Sequence, residues 1–128
     1  MDWPIDPAGL GEVLLRLRAS YTGELPLLVS ENGMSSRDYV DPAGICNDDD
    51  RVEFLRSHIR EVRRALAAGV PVRGYFVWSL LDNFEWDSGY RERFGLVHVD
   101  YPTQRRTRKK SFDWYRRVIA SNGRRLGR

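Results

Sequence analysis

The sequence has a single cysteine, Cys46, in 128 residues. No disulfide can close within the chain, and no cysteine cluster of the kind that holds structural zinc occurs. A lone thiol fits a reducing compartment, so a cytoplasmic chain is expected. No run of about 18 apolar residues is present, which excludes a membrane-spanning helix. The opening residues "MDWPIDPAGLGEV" lack the basic stretch and apolar run of a secretory signal. Internal repeats and low-complexity tracts are missing too. No metal, no cofactor and no membrane partner is expected.

What is present reads as one soluble globular domain over residues 1–128. The chain is 41% hydrophobic, 12% aromatic and 30% charged, outside the range of disordered chains. Its 21 basic and 18 acidic residues leave a net charge of +3. Ten of the basic residues fall between Arg105 and Arg128. The stretch "QRRTRKK" has the composition of a phosphate-binding patch. A solvated loop and the outer face of a terminal helix account for it more simply, because acidic residues balance the rest of the chain.

Residues 9 to 20 place Leu10, Val13, Leu14 and Leu17 on one helical face, with Pro7 suited to the entry. "ELPLLVS" is a continuous apolar run, the pattern of a strand covered on both faces in a parallel sheet. A polar connection follows, "SSRDYVDPAGICNDDD", with turns at Asp-Pro and Ala-Gly. Asp48, Asp49 and Asp50 then suit a helix N-terminus. Val52, Leu55, Ile59, Val62 and Leu66 form an inward stripe, stopped by Gly69 and Pro71. "VRGYFVWSLL" reads as a second strand. "FGLVHVDY" is a short strand segment. Ser111 opens a last helix with Phe112, Tyr115, Val118 and Ile119 inward, ended by Asn122-Gly123. Strands alternating with helices predict an α/β fold with parallel strands. Two strong strands cannot complete such a sheet, so the chain either holds further strands or belongs to a larger one.

In α/β folds chemistry gathers at the carboxyl ends of strands. Glu31 ends the first strand. Trp78 ends the second, with Asp82, Asn83, Glu85 and Trp86 in the loop beyond. Carboxylates beside tryptophans suit sugars: the ring's apolar face stacks on the indole and its hydroxyls need fixed acceptors. A nucleophilic or proton-donating carboxyl would complete a glycoside-hydrolysis site. A solvated loop above core tryptophans produces the same pattern, and the residues alone leave both readings open.

"LLVSENGM", followed by "GYFVWSLLDNFEWDSGYRERFGLVHVDYPTQRRTRKKSFDWYRRVI", resembles the C-terminal part of family 1 glycoside hydrolases, the β-glucosidase group. The likeness runs from Trp3 to about Asn122, and "WSLLDNFEW" and "RFGLVHVDY" are highly specific motifs. The resemblance implies a partial (β/α)8 barrel, made of the last two βα units and the C-terminal helix. It implies that Glu31 is the nucleophile of the family's T-E-N-G motif, with Ser30 in place of threonine. Trp78 matches the platform under the sugar. Glu85 matches the acceptor for outer sugar hydroxyls, Trp86 an indole donor to the same ring, and Phe94 an aromatic that closes the pocket. A carboxylate at Glu85 would repel a sugar phosphate, so an unphosphorylated β-glucoside is the expected substrate.

The family's acid/base is a different glutamate, in an N-E-P motif on an earlier strand, and N-E-P is absent here. A complete barrel takes about 250 residues. The resemblance aligns Met1-Asp2-Trp3 with an internal segment of the family. A C-terminal fragment of a retaining β-glucosidase is therefore expected, inactive alone, with an N-terminal barrel fragment as its partner. The alternative is a non-catalytic module that binds carbohydrate or, through its basic end, nucleic acid; the ordinary connection that "TQRRTRKK" makes in the family argues against nucleic acid.

Overall fold

The structure is a computed structural model that describes residues 3–127. Met1 and Asp2, aligned above with an internal family segment, and Arg128 lie outside that range. Helix α1 (Pro7–Leu17) opens on Asp6, whose carboxylate accepts from the Gly9 N–H at 3.1 Å. A wider turn, Arg18–Thr22, extends it to Gly23 at φ 57°. Strand β1 (Leu27–Asn32), helix α2 (Asp49–Ala67) and strand β2 (Val72–Val77) form one crossover unit, and β1 and β2 pair in parallel. An antiparallel hairpin follows, β3 (Val97–Asp100) with β4 (Arg105–Arg108), and then helix α3 (Lys110–Ala120).

Two apolar clusters hold these elements. Leu14, Val29, Val62, Ala65, Val70 and Val72 join α1 and α2 to the parallel strands. Val52, Leu55, Ile59, Leu96, Trp114 and Val118 join α2 to α3 and the segment before β3. Tyr75 packs against both clusters. Removing this apolar area from water is what drives the helices onto one face of β1 and β2. The other face is bare: Leu28 is 61% exposed and Phe76 57%. Among the described residues, no third strand joins β1 or β2.

Several sequence expectations need correction. Val13, Leu66 and Ile119 were expected inward but are exposed, while Trp114 is buried. Leu66 and Ile119 border an open groove of about 430 Å³ between α2, β2 and α3, so the helical stripe continues past the part of the core that covers it. "QRRTRKK" is not simply a loop. Arg105–Arg108 is a strand paired residue for residue with Val97–Asp100, and its run of charges carries no apolar alternation to betray it. Asp48 begins α2 but makes no side-chain cap there. Its carboxylate caps α3 instead, accepting from the Ser111 N–H at 2.8 Å and hydroxyl at 2.5 Å. Capping across 63 positions is invisible to a rule that reads neighbours.

Candidate active site

Glu31 ends β1 within a bulge. Val29 pairs with Tyr75 and Asn32 with Val77, so Ser30 and Glu31 together span the step that Phe76 spans alone. Strict alternation from buried Val29 would return Glu31 to the helix-packed face. The extra residue interrupts that alternation, and Ser30 and Glu31 are both exposed.

The next residues bind this strand end to β2. The Trp78 N–H donates to the Asn32 carbonyl at 3.1 Å. Gly33 lies directly under the Trp78 carbonyl: a Cβ on Gly33 would stand 1.8 Å from that oxygen. The glycine is therefore needed for close backbone approach. Trp78 itself, just past the end of β2 and joined to Ser79 by a cis peptide bond, is 36% exposed.

Beyond Trp78 the chain runs through a loop pinned at its base. The Ser79 N–H donates to the Phe94 carbonyl at 3.1 Å, and the Leu96 N–H to the Ser79 carbonyl at 2.9 Å. Asp82, grouped in the sequence with the candidate site carboxylates, is buried. It accepts from the Gly95 N–H (2.9 Å), Arg93 (2.7 Å) and Lys109 (2.8 Å). Its carboxylate holds the loop and is closed to a ligand. Lys109 also pairs with Asp38, which Arg51 reaches at 2.7 Å, and Arg51 binds Asp48 at 2.5 Å. Three cations thus face three carboxylates in a buried cluster, the condition under which such charges are tolerated. The cluster ties the segment after Glu31 to the loop carrying Glu85 and Trp86, and both to α2 and α3.

A cavity of about 380 Å³ lies at the carboxyl end of β1. Glu31 and Phe94 line it, with Trp3, Asp6, Met34, Phe54 and His58. Trp78, Glu85 and Trp86 do not line this cavity. Trp78 stands beside it across the Asn32–Gly33 contact, while half-buried Glu85 and Trp86, 82% exposed, lie on the pinned loop. His58 was missed by sequence reasoning. It is buried, stacks on Phe54 at 3.9 Å between ring centroids, and its Nδ1 lies 2.7 Å from the Phe54 carbonyl. Phe54 and His58 stand four apart, beside the apolar stripe of α2; that spacing was the available signal.

Comparison with known proteins gives the arrangement a family. The model of glycosyl hydrolase family 1 matches residues 1–124. The bifunctional β-D-glucosidase/β-D-fucosidase of Bifidobacterium breve is 52% identical over 95% of this chain and 27% of its own length. A 6-phospho-β-galactosidase of Streptococcus equi subsp. zooepidemicus is 40% identical over 94% of this chain and 25% of its own. Among solved structures, the family 1 β-glucosidase from Thermotoga maritima in complex with isofagomine lactam superposes with a TM-score of 0.92. It is 44% identical, and the match covers 94% of this chain and 27% of that one. The crossover unit, the bulged strand end and the pinned loop therefore form part of a larger (β/α)8 barrel architecture. Spanning about a quarter of the length of these relatives, the chain belongs to glycosyl hydrolase family 1.

Proposed function

We propose that this chain supplies the nucleophile and sugar-contacting residues of a retaining β-glucosidase that hydrolyses terminal β-D-glucosyl bonds. The observation that carries the reading is that Glu31 stands exposed in a bulge at the carboxyl end of β1 and lines the cavity there. In the proposed reaction a Glu31 carboxylate oxygen attacks the anomeric carbon. The bond to the leaving-group oxygen breaks as that oxygen takes a proton from a second carboxyl group. Water then attacks the glycosyl-enzyme, gives its proton to that same group, and releases the sugar with retained configuration. The two carboxyls must stand about 5 to 5.5 Å apart. Glu85 is assigned to the sugar hydroxyls, so the second carboxyl comes from an N-E-P segment outside these 128 residues.

Trp78 is the platform under the ring, Trp86 an indole donor to it, and Phe94 an aromatic wall. Glu85 also bears on specificity, since a relative acts on 6-phospho-β-galactosides. A carboxylate beside the outer hydroxyls favours a neutral sugar over a phosphorylated one, because like charges repel most strongly where water is excluded.

The test is enzymatic. The purified chain alone is expected not to turn over an aryl β-glucoside. The same chain completed to a barrel by the N-terminal three-quarters of the Thermotoga maritima enzyme is expected to hydrolyse it with retention, and Glu31→Ala to abolish turnover. Full turnover by the isolated chain would refute its incompleteness. Full turnover by Glu31→Ala would refute the nucleophile.

A further inference from the structure

We infer that Tyr75 is a positioning residue for Glu31: its hydroxyl locks Asn32 and so holds the bulge that presents the carboxylate. The inference rests on the reading of Glu31 as nucleophile and adds a residue that does not touch the sugar. Tyr75 lies on β2, half-buried and packed against both apolar clusters. Its hydroxyl donates to the Asn32 side-chain carbonyl at 2.5 Å. Its own backbone carbonyl accepts from the Tyr115 hydroxyl at 2.9 Å. A line of hydrogen bonds thus runs from α3 through β2 to the residue directly after Glu31.

The bulge explains why such a lock is needed. An extra residue in a strand is unpaired, and a slip of one position restores ordinary alternation. Here that slip would change the direction in which Glu31 is presented. Beyond the bulge the two strands share one matched pair, Asn32 with Val77. The backbone bond from the Trp78 N–H holds the Asn32 main chain, and Tyr75 holds its side chain. Fixed at both ends, Asn32 cannot follow a slip. Apolar packing alone would be served by phenylalanine, and a hydroxyl taken out of water costs stability unless it is bonded. Burial, and next the neighbouring Tyr115, push the Tyr75 hydroxyl above the ordinary tyrosine value, so it remains a neutral donor at any pH where a glutamate acts as nucleophile.

The test uses the barrel-completed chain and 2,4-dinitrophenyl 2-deoxy-2-fluoro-β-D-glucoside, which traps a glycosyl-enzyme on the nucleophile. Trapping yields two numbers, a rate at saturation and a binding constant. Tyr75→Phe is expected to slow the saturated rate by at least about tenfold, because small misplacements of a reacting group are costly, and to leave the binding constant within about twofold. Asn32→Ala should do the same, and the double variant should be no slower than either single one. Should Tyr75→Phe fail to fold, Asn32→Ala is read by the same criterion. A saturated rate within about twofold of the native one, or rate and binding falling together as a general structural defect would make them, overturns the inference. If the native completed barrel is not labelled at Glu31, the nucleophile reading falls and the inference falls with it.

Discussion

At Gly33 a single hydrogen in place of a methyl group decides whether the two strand ends can touch. The oxygen a Cβ would meet belongs to the Trp78 backbone and not to the far end of a flexible side chain. Gly33→Ala is therefore expected to lower stability by about 1–3 kcal/mol, read from urea denaturation, and to shift Trp78 relative to Glu31. Unchanged stability would show that the strand ends part without penalty. Cys46 is the second residue with a clear expectation. It is 1% exposed, and burial, followed by the charge of Asp38, pushes its thiol up to about 11. Ellman's reagent is expected to leave it untouched in the folded chain at pH 8 and to react fully in urea. Rapid reaction without denaturant would contradict its burial.

The buried charge cluster joins α2, α3, the hairpin and the two loops at the site. Burial alone raises the Asp38 carboxyl; the Arg51 hydrogen bond and the charges of Arg51 and Lys109 outweigh it, leaving the group below its ordinary value. A carboxyl lowered by folding stabilises the fold fully above its unfolded value, near about pH 4, and loses that contribution as pH falls through the lower folded value. Asp38→Asn is expected to cost about 3–5 kcal/mol at neutral pH, since it strips a partner from two buried cations. The variant's urea midpoint should also vary less with pH below about pH 4 than that of the native chain. Equal acid sensitivity in both would place the titrating group elsewhere. Little of this cluster was legible beforehand. Asp38, Arg51, Asp82 and Lys109 are scattered along the chain, and each looks like an ordinary surface charge until the fold brings them together. The hairpin was half legible: "FGLVHVDY" showed β3 by its apolar residues, while β4 has none to show.

Across the molecule the open sheet face and the outer edges of β1 and β2, which no further strand joins among the described residues, dominate. Leu28, Phe76 and Leu80 stand exposed. A groove of about 680 Å³, lined by Phe76, Val77, Leu80, Phe112 and Ile119 among others, opens along β2 and α3. Unpaired strand edges beside apolar surface are templates for association. The isolated chain is expected to associate at micromolar concentration in light scattering, and an N-terminal barrel fragment to suppress this. A monodisperse monomer that melts cooperatively would contradict the expectation.

The three helices, the two parallel strands with their crossover, and the family were legible in the sequence, whereas β4 was not. Apolar periodicity is a local property, and the motifs "SENG" and "WSLLDNFEW" stand intact in the chain. The surroundings of Glu31 emerge only on folding: a bulge between β1 and β2, the close approach permitted by Gly33, and the Tyr75 hydroxyl on Asn32. Each depends on the register of residues more than 40 positions apart, and register is set by packing and cross-strand hydrogen bonds, which no window along the chain contains.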